Sequence, residues 1–327
     1  MCILYELLSR ETLKTGETLE IGVVTSPDEH YAAGIEDLLS HKGEVWRAHI
    51  QAALQGRADR LETRFYLGLI QGQPVANIMT VERLGVGILG HVFTRPEHRR
   101  KGICHAVMSR QMEHFRQRGG HVLTLGTGFD SPPYWIYHGF GFRSLKGGFM
   151  RYAVEPDYAF EERWFMPAAA QVKPVAWEHA PLIALIASLP GVEYLRSAAW
   201  EYYGIENLER ALIGFFYRQM TGDPVGGCVL ETEAGAVVGC ATYYPHPLWS
   251  NVWLVDSFTH VNFIAQTSDL LEGLPVPAGK QIAYLDTGAQ EKAALYESCG
   301  FVREGTLSRS LRVEGEPRDV WVYGRER

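Results

Sequence analysis

Two stretches of this chain repeat one another and fix what it can fold into. LTLGTGFDSPPYWIYHGFGF begins at Leu123, and AYLDTGAQEKAALYESCGF begins at Ala283. Each reads as an apolar run, a Thr-Gly pair, a short helical stretch and then Tyr-x-x-x-Gly-Phe. Tyr137 stands five residues before Phe142, and Tyr296 five before Phe301. From Thr127 to Tyr137 is ten steps, from Thr287 to Tyr296 nine, so the copies differ by one residue. Self-similarity at so long a period implies a duplicated unit, which has to be settled before any fold is assigned. A chain of 327 residues suits two such units, being too long for one ordinary core.

The order of elements supports the duplication. In the first half a strand near Leu19–Val24 precedes helices around Asp28–Leu39 and Trp46–Leu54. Strands Arg64–Ile70 and Val75–Leu84 form a hairpin about the turn Gln71-Gly72-Gln73-Pro74, and another strand lies near Gly87–Phe93. A helix over Gly102–Arg118 places Val107, Met108, Met112 and Phe115 on one side and stops at Gly119-Gly120. The strand His121–Leu125, a short helix and two closing strands complete the half. The second half repeats this order: a strand at Val172–Val175 and helices at Glu178–Ala187 and Glu206–Gln219 come first. Strands Gly227–Glu231 and Ala236–Tyr243 flank Glu233-Ala234-Gly235. A strand at Val252–Phe258 leads to a helix ending near Leu274, then the strand Ile282–Asp286, the helix Ala289–Ser298 and a hairpin turning at Glu314-Gly315. The expected class is α+β, each half a mixed central sheet flanked by helices. The expected boundaries are 1–155 and 171–327, joined by a linker at 156–170.

Composition narrows the function. The chain is 46% hydrophobic and 21% charged, as globular proteins are. No run approaches the ~18 apolar residues of a membrane helix. The start MCILYELLSRETLK lacks the basic head and cleavage site of a signal peptide. Five scattered cysteines without CxxC spacing (Cys2, Cys104, Cys228, Cys240, Cys299) read as reduced thiols of a cytoplasmic protein, not a disulfide framework or zinc site. The histidines do not assemble into ligand spacing, so no metal is expected. A net charge of −7 argues against a nucleic-acid partner.

The chemistry lies in HVFTRPEHRRKGICHAVMSRQMEHF. A strand (His91–Thr94) runs into Pro96, and Arg99-Arg100-Lys101-Gly102 opens a helix. A helix start leaves backbone N–H groups unpaired and carries partial positive charge, so it suits phosphate. Gly102 allows close backbone approach, and Arg99, Arg100 and Lys101 add cationic donors. Three cations at a helix start cost stability by themselves, because the dipole favours them at the other end. Neither GxxxxGK[ST] nor GxGxxG is present.

This segment resembles the acyl-CoA pyrophosphate motif of the GNAT family of N-acetyltransferases, [RQ]-x-x-G-x-[GA]. Arg99 takes its first position and Gly102 its fourth; at the sixth, Cys104 replaces Gly or Ala. The Tyr-x-x-x-Gly-Phe element also resembles that family, in both halves. The resemblance implies two tandem acyl-CoA N-acyltransferase domains with acetyl-CoA as co-substrate. Its pyrophosphate would lie on Arg99, Arg100, Lys101, Gly102, Ile103 and Cys104. The family's fourth and fifth strands, here near His91–Thr94 and His121–Leu125, splay, and pantetheine pairs with the fourth around Phe93 and Thr94. A backbone N–H there can stabilise an oxyanion while the amine attacks the thioester directly in a ternary complex. Tyr137 matches the position of a general acid for the departing thiolate, with Tyr134 the competing candidate. The general base stays open among Glu82, His91, His121 and Asp130.

Between Asn251 and Glu272 the second half has no Gly, Lys or Arg. That copy is therefore read as degenerate, with Tyr296 structural. The activity the resemblance implies is acetyl or short-acyl transfer to a primary amine on a small molecule or peptide (EC 2.3.1.-). The alternative is a non-catalytic CoA-binding sensor or scaffold. No membrane partner is expected, and a homodimer is allowed.

Overall fold

The computed structural model describes residues 5–190, 197, 204–313 and 315–327. Cys2, the first four residues of the amino-terminal stretch read above and Glu314 of the last hairpin lie outside them. The chain divides into two compact units, Met1–Asp157 and Tyr158–Arg327.

The first unit runs β1 (Tyr5–Thr12), β2 (Thr18–Thr25), α1 (Ala32–Leu38), α2 (Glu44–Leu54), β3 (Glu62–Ile70), β4 (Gln73–Arg83) and β5 (Val86–Thr94). It continues with α3 (Ile103–Gln117), β6 (Val122–Gly126), α4 (Pro132–Gly139), β7 (Arg143–Lys146) and β8 (Phe149–Ala153). The eight strands are ordered β1-β2-β3-β4-β5-β6-β8-β7. Every adjacent pair is antiparallel except β5 and β6, which pair in parallel. The α3 face of the sheet is closed by a continuous core that includes Leu19, Ile21, Ile78, Val107, Met108 and Phe115. The helix can sit this low because Gly68 offers it no Cβ: a methyl there would meet Val107 and Ile103 at 3.1 and 3.2 Å.

Strand β1 was not foreseen; it lays an antiparallel edge against β2 with a half-exposed face. Pro74 belongs to β4 and not to the turn. The two-residue connection is Gln71-Gly72, both with positive φ (51° and 77°), the combination a tight hairpin needs. Helix α1 begins at Ala32, because the Asp28 carboxylate already takes the Tyr31 N–H at 2.7 Å in a preceding turn.

The second unit runs α5 (Ala159–Trp164), β9 (Ala170–Pro174), α6 (Ala180–Ala187), α7 (Glu209–Met220), β10 (Gly226–Thr232), β11 (Val237–Pro245) and β12 (Val252–Thr259). Then come α8 (Thr267–Glu272), β13 (Lys280–Asp286), α9 (Gln290–Ser298), β14 (Val302–Val313) and β15 (Glu316–Glu326). Its sheet is ordered β14-β15-β13-β12-β11-β10-β9, and again one pair alone, β12 with β13, is parallel. Helix α5 falls within 156–170, the stretch read above as linker.

The repeated Tyr-x-x-x-Gly-Phe motif is a helix terminus in both units. Gly141 and Gly300 take left-handed φ of 96° and 83°. The Phe142 N–H donates to the Tyr137 carbonyl at 3.1 Å, and the Phe301 N–H to that of Tyr296 at 3.0 Å. Gly141 and Gly300 donate to His138 and Glu297. These are the paired bonds of a Schellman cap, and the ring contacts Tyr137–Phe142 (6.1 Å) and Tyr296–Phe301 (5.0 Å) are its apolar clasp.

In the second unit, Lys292 of α9 and Asp256 of β12 form a buried ion pair at 2.6 Å, with Ser197 also donating to Asp256 at 2.8 Å. Removing one partner leaves the other charge buried, so Lys292→Ala should cost about 3–5 kcal/mol. Chemical denaturation followed by the second unit's unfolding checks this; a loss below ~1 kcal/mol would mean the pair is solvent-screened.

Candidate active site

The parallel pairing of β5 and β6 spans only Val86–Ile88 against Val122–Thr124. Past that point β5 stays with β4 to Thr94, and β6 stays with β8 to Gly126, so the two part. Phe93 and Thr94 thus lie on the edge of β5 that β6 has left, where the resemblance put the pantetheine arm. Within this stretch β5 carries a bulge. Asn77 faces Phe93 and Met79 faces Gly90, so His91 and Val92 together oppose Ile78. His91 sits there at φ 50°, and its carbonyl accepts from the Asn77 amide at 2.9 Å.

Beyond Thr94 a single 3-10 turn, Pro96–His98, delivers the chain to the start of α3. Arg100 and Gly102 both have left-handed φ, 62° and 86°, and Gly102 is the residue before the helix. A Cβ on Gly102 would meet nothing within 4 Å, so the backbone there faces open space. The first N–H groups of α3, from Ile103 onward, have no carbonyl a turn earlier to bond, and such a helix start favours an anion. The three cations differ. Lys101 is tied to Glu17 at 2.9 Å, and that carboxylate lies below its ordinary pKa through the Thr15 hydroxyl and Lys101. The Arg99 Nε donates to the Thr94 carbonyl at 3.0 Å, and its guanidinium lies 5.7 Å from the Phe93 ring. Arg100 is exposed at the turn. Cys104 is half-buried, and burial pushes its thiol pKa up.

Tyr137 and Tyr134 lie on α4, each buried to 8% exposure and packed into the core on the α3 side. Ser131 caps this helix, accepting the Tyr134 N–H at 3.4 Å, while Asp130 accepts from the Trp135 indole at 2.8 Å. The base candidates separate by position. Glu82 is buried where β4 ends and β5 begins, away from the splay, in the grip of Arg118 (2.8 Å), Arg64 (3.4 Å) and the Thr80 hydroxyl (2.6 Å). His121 is at the same end, its N–H donating to Gly85. Both therefore lie away from the splay. His91 remains at the splay, and Asp130 at the head of α4.

A group that sequence reasoning missed surrounds His91. Trp46 of α2 meets its ring edge-on at 5.3 Å, and His49 lies 6.2 Å away. His41, between α1 and α2, stacks on Phe93 at 4.2 Å. The Nε2 of His91 is buried without a hydrogen-bond partner. Burial drives His91 down to about 3, with smaller contributions from His49, Lys42 and His41; burial alone takes His49 to about 4.

The matching region of the second unit is built otherwise. Strand β12 pairs with β11 without a register shift, and a 3-10 turn over Val261–Gln266 precedes α8. The gap between β12 and α9 is crossed by Lys292–Asp256 and by Ser257 Oγ to Tyr296 Oη at 3.0 Å, all buried. Among the described residues no cluster of His, Cys, Asp and Glu could hold a metal, and no helix is long and apolar enough to cross a membrane.

A family model described as FR47-like protein matches residues 66–150, from β3 to β8. The resemblance to GNAT-type acyltransferases holds, in a mixed α+β fold present in tandem. No curated protein matches. Solved structures that are similar include a ribosomal-protein-alanine N-acetyltransferase from Brucella melitensis, at 20% identity and a TM-score of 0.39 over 48% of this chain and 99% of that one. An N-acetyltransferase from Staphylococcus aureus Mu50 is 17% identical, with a TM-score of 0.39 over 48% and 98%. A spermidine N-acetyltransferase chimera from Vibrio cholerae and hSSAT is 14% identical, with a TM-score of 0.37 over 49% and 96%.

Buried neutral histidines make stability pH-dependent. His49, His91 and His260 (about 4) take up protons on unfolding at any pH between their folded values and the ordinary ~6.5. Their contribution is complete above pH ~6.5 and is lost as pH falls toward the folded values. The urea midpoint should therefore drop between pH 7 and 5, and drop less in His91→Asn, since Asn tolerates positive φ. Equal slopes for both proteins would refute the assignment for His91.

Proposed function

We propose that the chain is an acetyl-CoA-dependent N-acetyltransferase acting through its first unit. The second unit is a scaffold without an acyl-CoA site. The observation that carries this reading is continuity: an unpaired strand edge ending at Thr94 runs, through one turn, into a helix start with two left-handed residues. An extended amide-bearing arm can add to the first by backbone hydrogen bonds, while the second takes a pyrophosphate. Arg99 touches both, through Thr94 and Phe93, and Arg100 is exposed to supply charge. The residues present fit acetyl-CoA, which would supply an activated thioester.

In this reading the amine nitrogen attacks the thioester carbonyl carbon, the C–N bond forms and the C–S bond breaks. The departing thiolate takes a proton from Tyr137, and the amine's proton passes to solvent, which returns one to the tyrosinate. His91 is a poor store for that proton, because its burial favours the neutral ring; it serves as a hydrogen-bond acceptor. In this reading the acceptor reaches the thioester from the α1–α2 side, where His41 and Trp46 lie against Phe93 and His91 of β5.

Arg99→Ala combined with Gly102→Asp should abolish the protection that acetyl-CoA gives against thermal unfolding; unchanged protection removes the site. Calorimetry should count one CoA per chain, and two equal sites would contradict a scaffold role for the second unit. Tyr137→Phe should lower kcat by ~10²–10⁴-fold, read as free thiol release, with acetyl-CoA protection retained. Retained protection with no turnover of any amine by the unaltered protein would favour a CoA-binding sensor.

A further inference from the structure

We propose that the face formed by His41, Trp46, His91 and Phe93 holds the acceptor, and that this acceptor is a primary amine carried on an aromatic body, not a polyamine. The proposal rests on the transferase reading above. Three observations support it. The face consists of flat rings at stacking or edge distances, 4.2 Å for His41–Phe93 and 5.3 Å for Trp46–His91, on both sides of the β5 bulge. Offset and edge-to-face partners of this kind favour another aromatic ring over an aliphatic chain. The buried Nε2 of His91 offers one unmet hydrogen-bonding atom, enough to orient a single amine.

The charge around the face supplies the third observation. Lys42 acts on both His41 and His91, and Arg99 acts on His41. None of the four residues of the face carries a carboxylate, so it offers no anionic partner to a chain with several ammonium groups. An amine with one cationic end and an aromatic remainder makes no such demand. The β5 bulge is what assembles the face: it turns His91 toward α2 within the stretch that β6 has left.

The test is calorimetry on the full chain saturated with CoA, titrated with tryptamine and, separately, with spermidine. Tryptamine should bind at least about tenfold more tightly. Trp46→Ala should weaken tryptamine by about tenfold, and Trp46→Phe should restore most of it. Thermal unfolding of both variants controls for folding. Equal or tighter spermidine binding, no binding of either amine, or indifference of tryptamine to Trp46→Ala would overturn the proposal. Free thiol release with the same amines separates it from the transferase reading: tight tryptamine binding without turnover would sustain the aromatic site and remove the enzyme.

Discussion

The structure depends on how briefly its one parallel strand pair holds in each unit. Strands β5 and β6 share three residue pairs, and β12 and β13 share three, before each strand follows its antiparallel neighbour instead. Antiparallel ladders are slightly more stable per residue, and a twisted sheet rotates successive strands away from one another. A parallel seam with continuous antiparallel partners on both outer edges is therefore where the sheet opens. The opening leaves backbone donors and acceptors on one edge of β5. Those groups need partners from a helix, a ligand or water. An opening at this seam follows from strand order before any side chain is considered.

Side chains then give the two openings different fates. In the first unit the bulge at His91, the left-handed Arg100 and Gly102, and the exposed arginines keep the edge accessible and electropositive. In the second the register of β11 and β12 is unbroken, and Asp256, Lys292, Ser257 and Tyr296 bridge β12 to α9. A buried ion pair carries a desolvation penalty that only close geometry and additional hydrogen bonds offset. Here Ser197 and the Ser257 N–H both donate to Asp256. The duplication has kept the backbone plan while one copy crosses its gap with polar side chains.

Much of this was legible in the sequence, for physical reasons that also mark where reading stopped. Duplication, element order and the strand-to-helix turn are encoded locally, in Gly and Pro placement, helical periodicity and the Arg-Arg-Lys-Gly run. The role of Glu82 was not, because its main partner Arg118 is 36 residues away and only the α3–sheet packing brings them together. The ring cluster was hidden too. Strand side chains alternate with a period of two, so a single inserted residue at the bulge reverses which face follows, and no local pattern announces it. His91 could be placed on the right strand but not beside Trp46 and His49, which belong to a helix some forty residues earlier.

The repeated tyrosine shows how one motif can carry two meanings. In both units it occupies the third-from-last position of a Schellman-capped helix, where an apolar contact with the following Phe is favoured whatever the hydroxyl does. Its recurrence is therefore explained by helix termination alone, and recurrence is no argument for chemistry. What separates the copies is the opening between the parallel strands of each unit. The Tyr296 hydroxyl bonds Ser257 on an unbulged strand, both buried, so its hydrogen bond serves the fold. The acid role proposed for Tyr137 rests on the first unit's opening, where the bulged β5 leads through one turn into the start of α3. In the proposed reading, function therefore depends less on the motif than on the three-pair seam that lets β5 and β6 part.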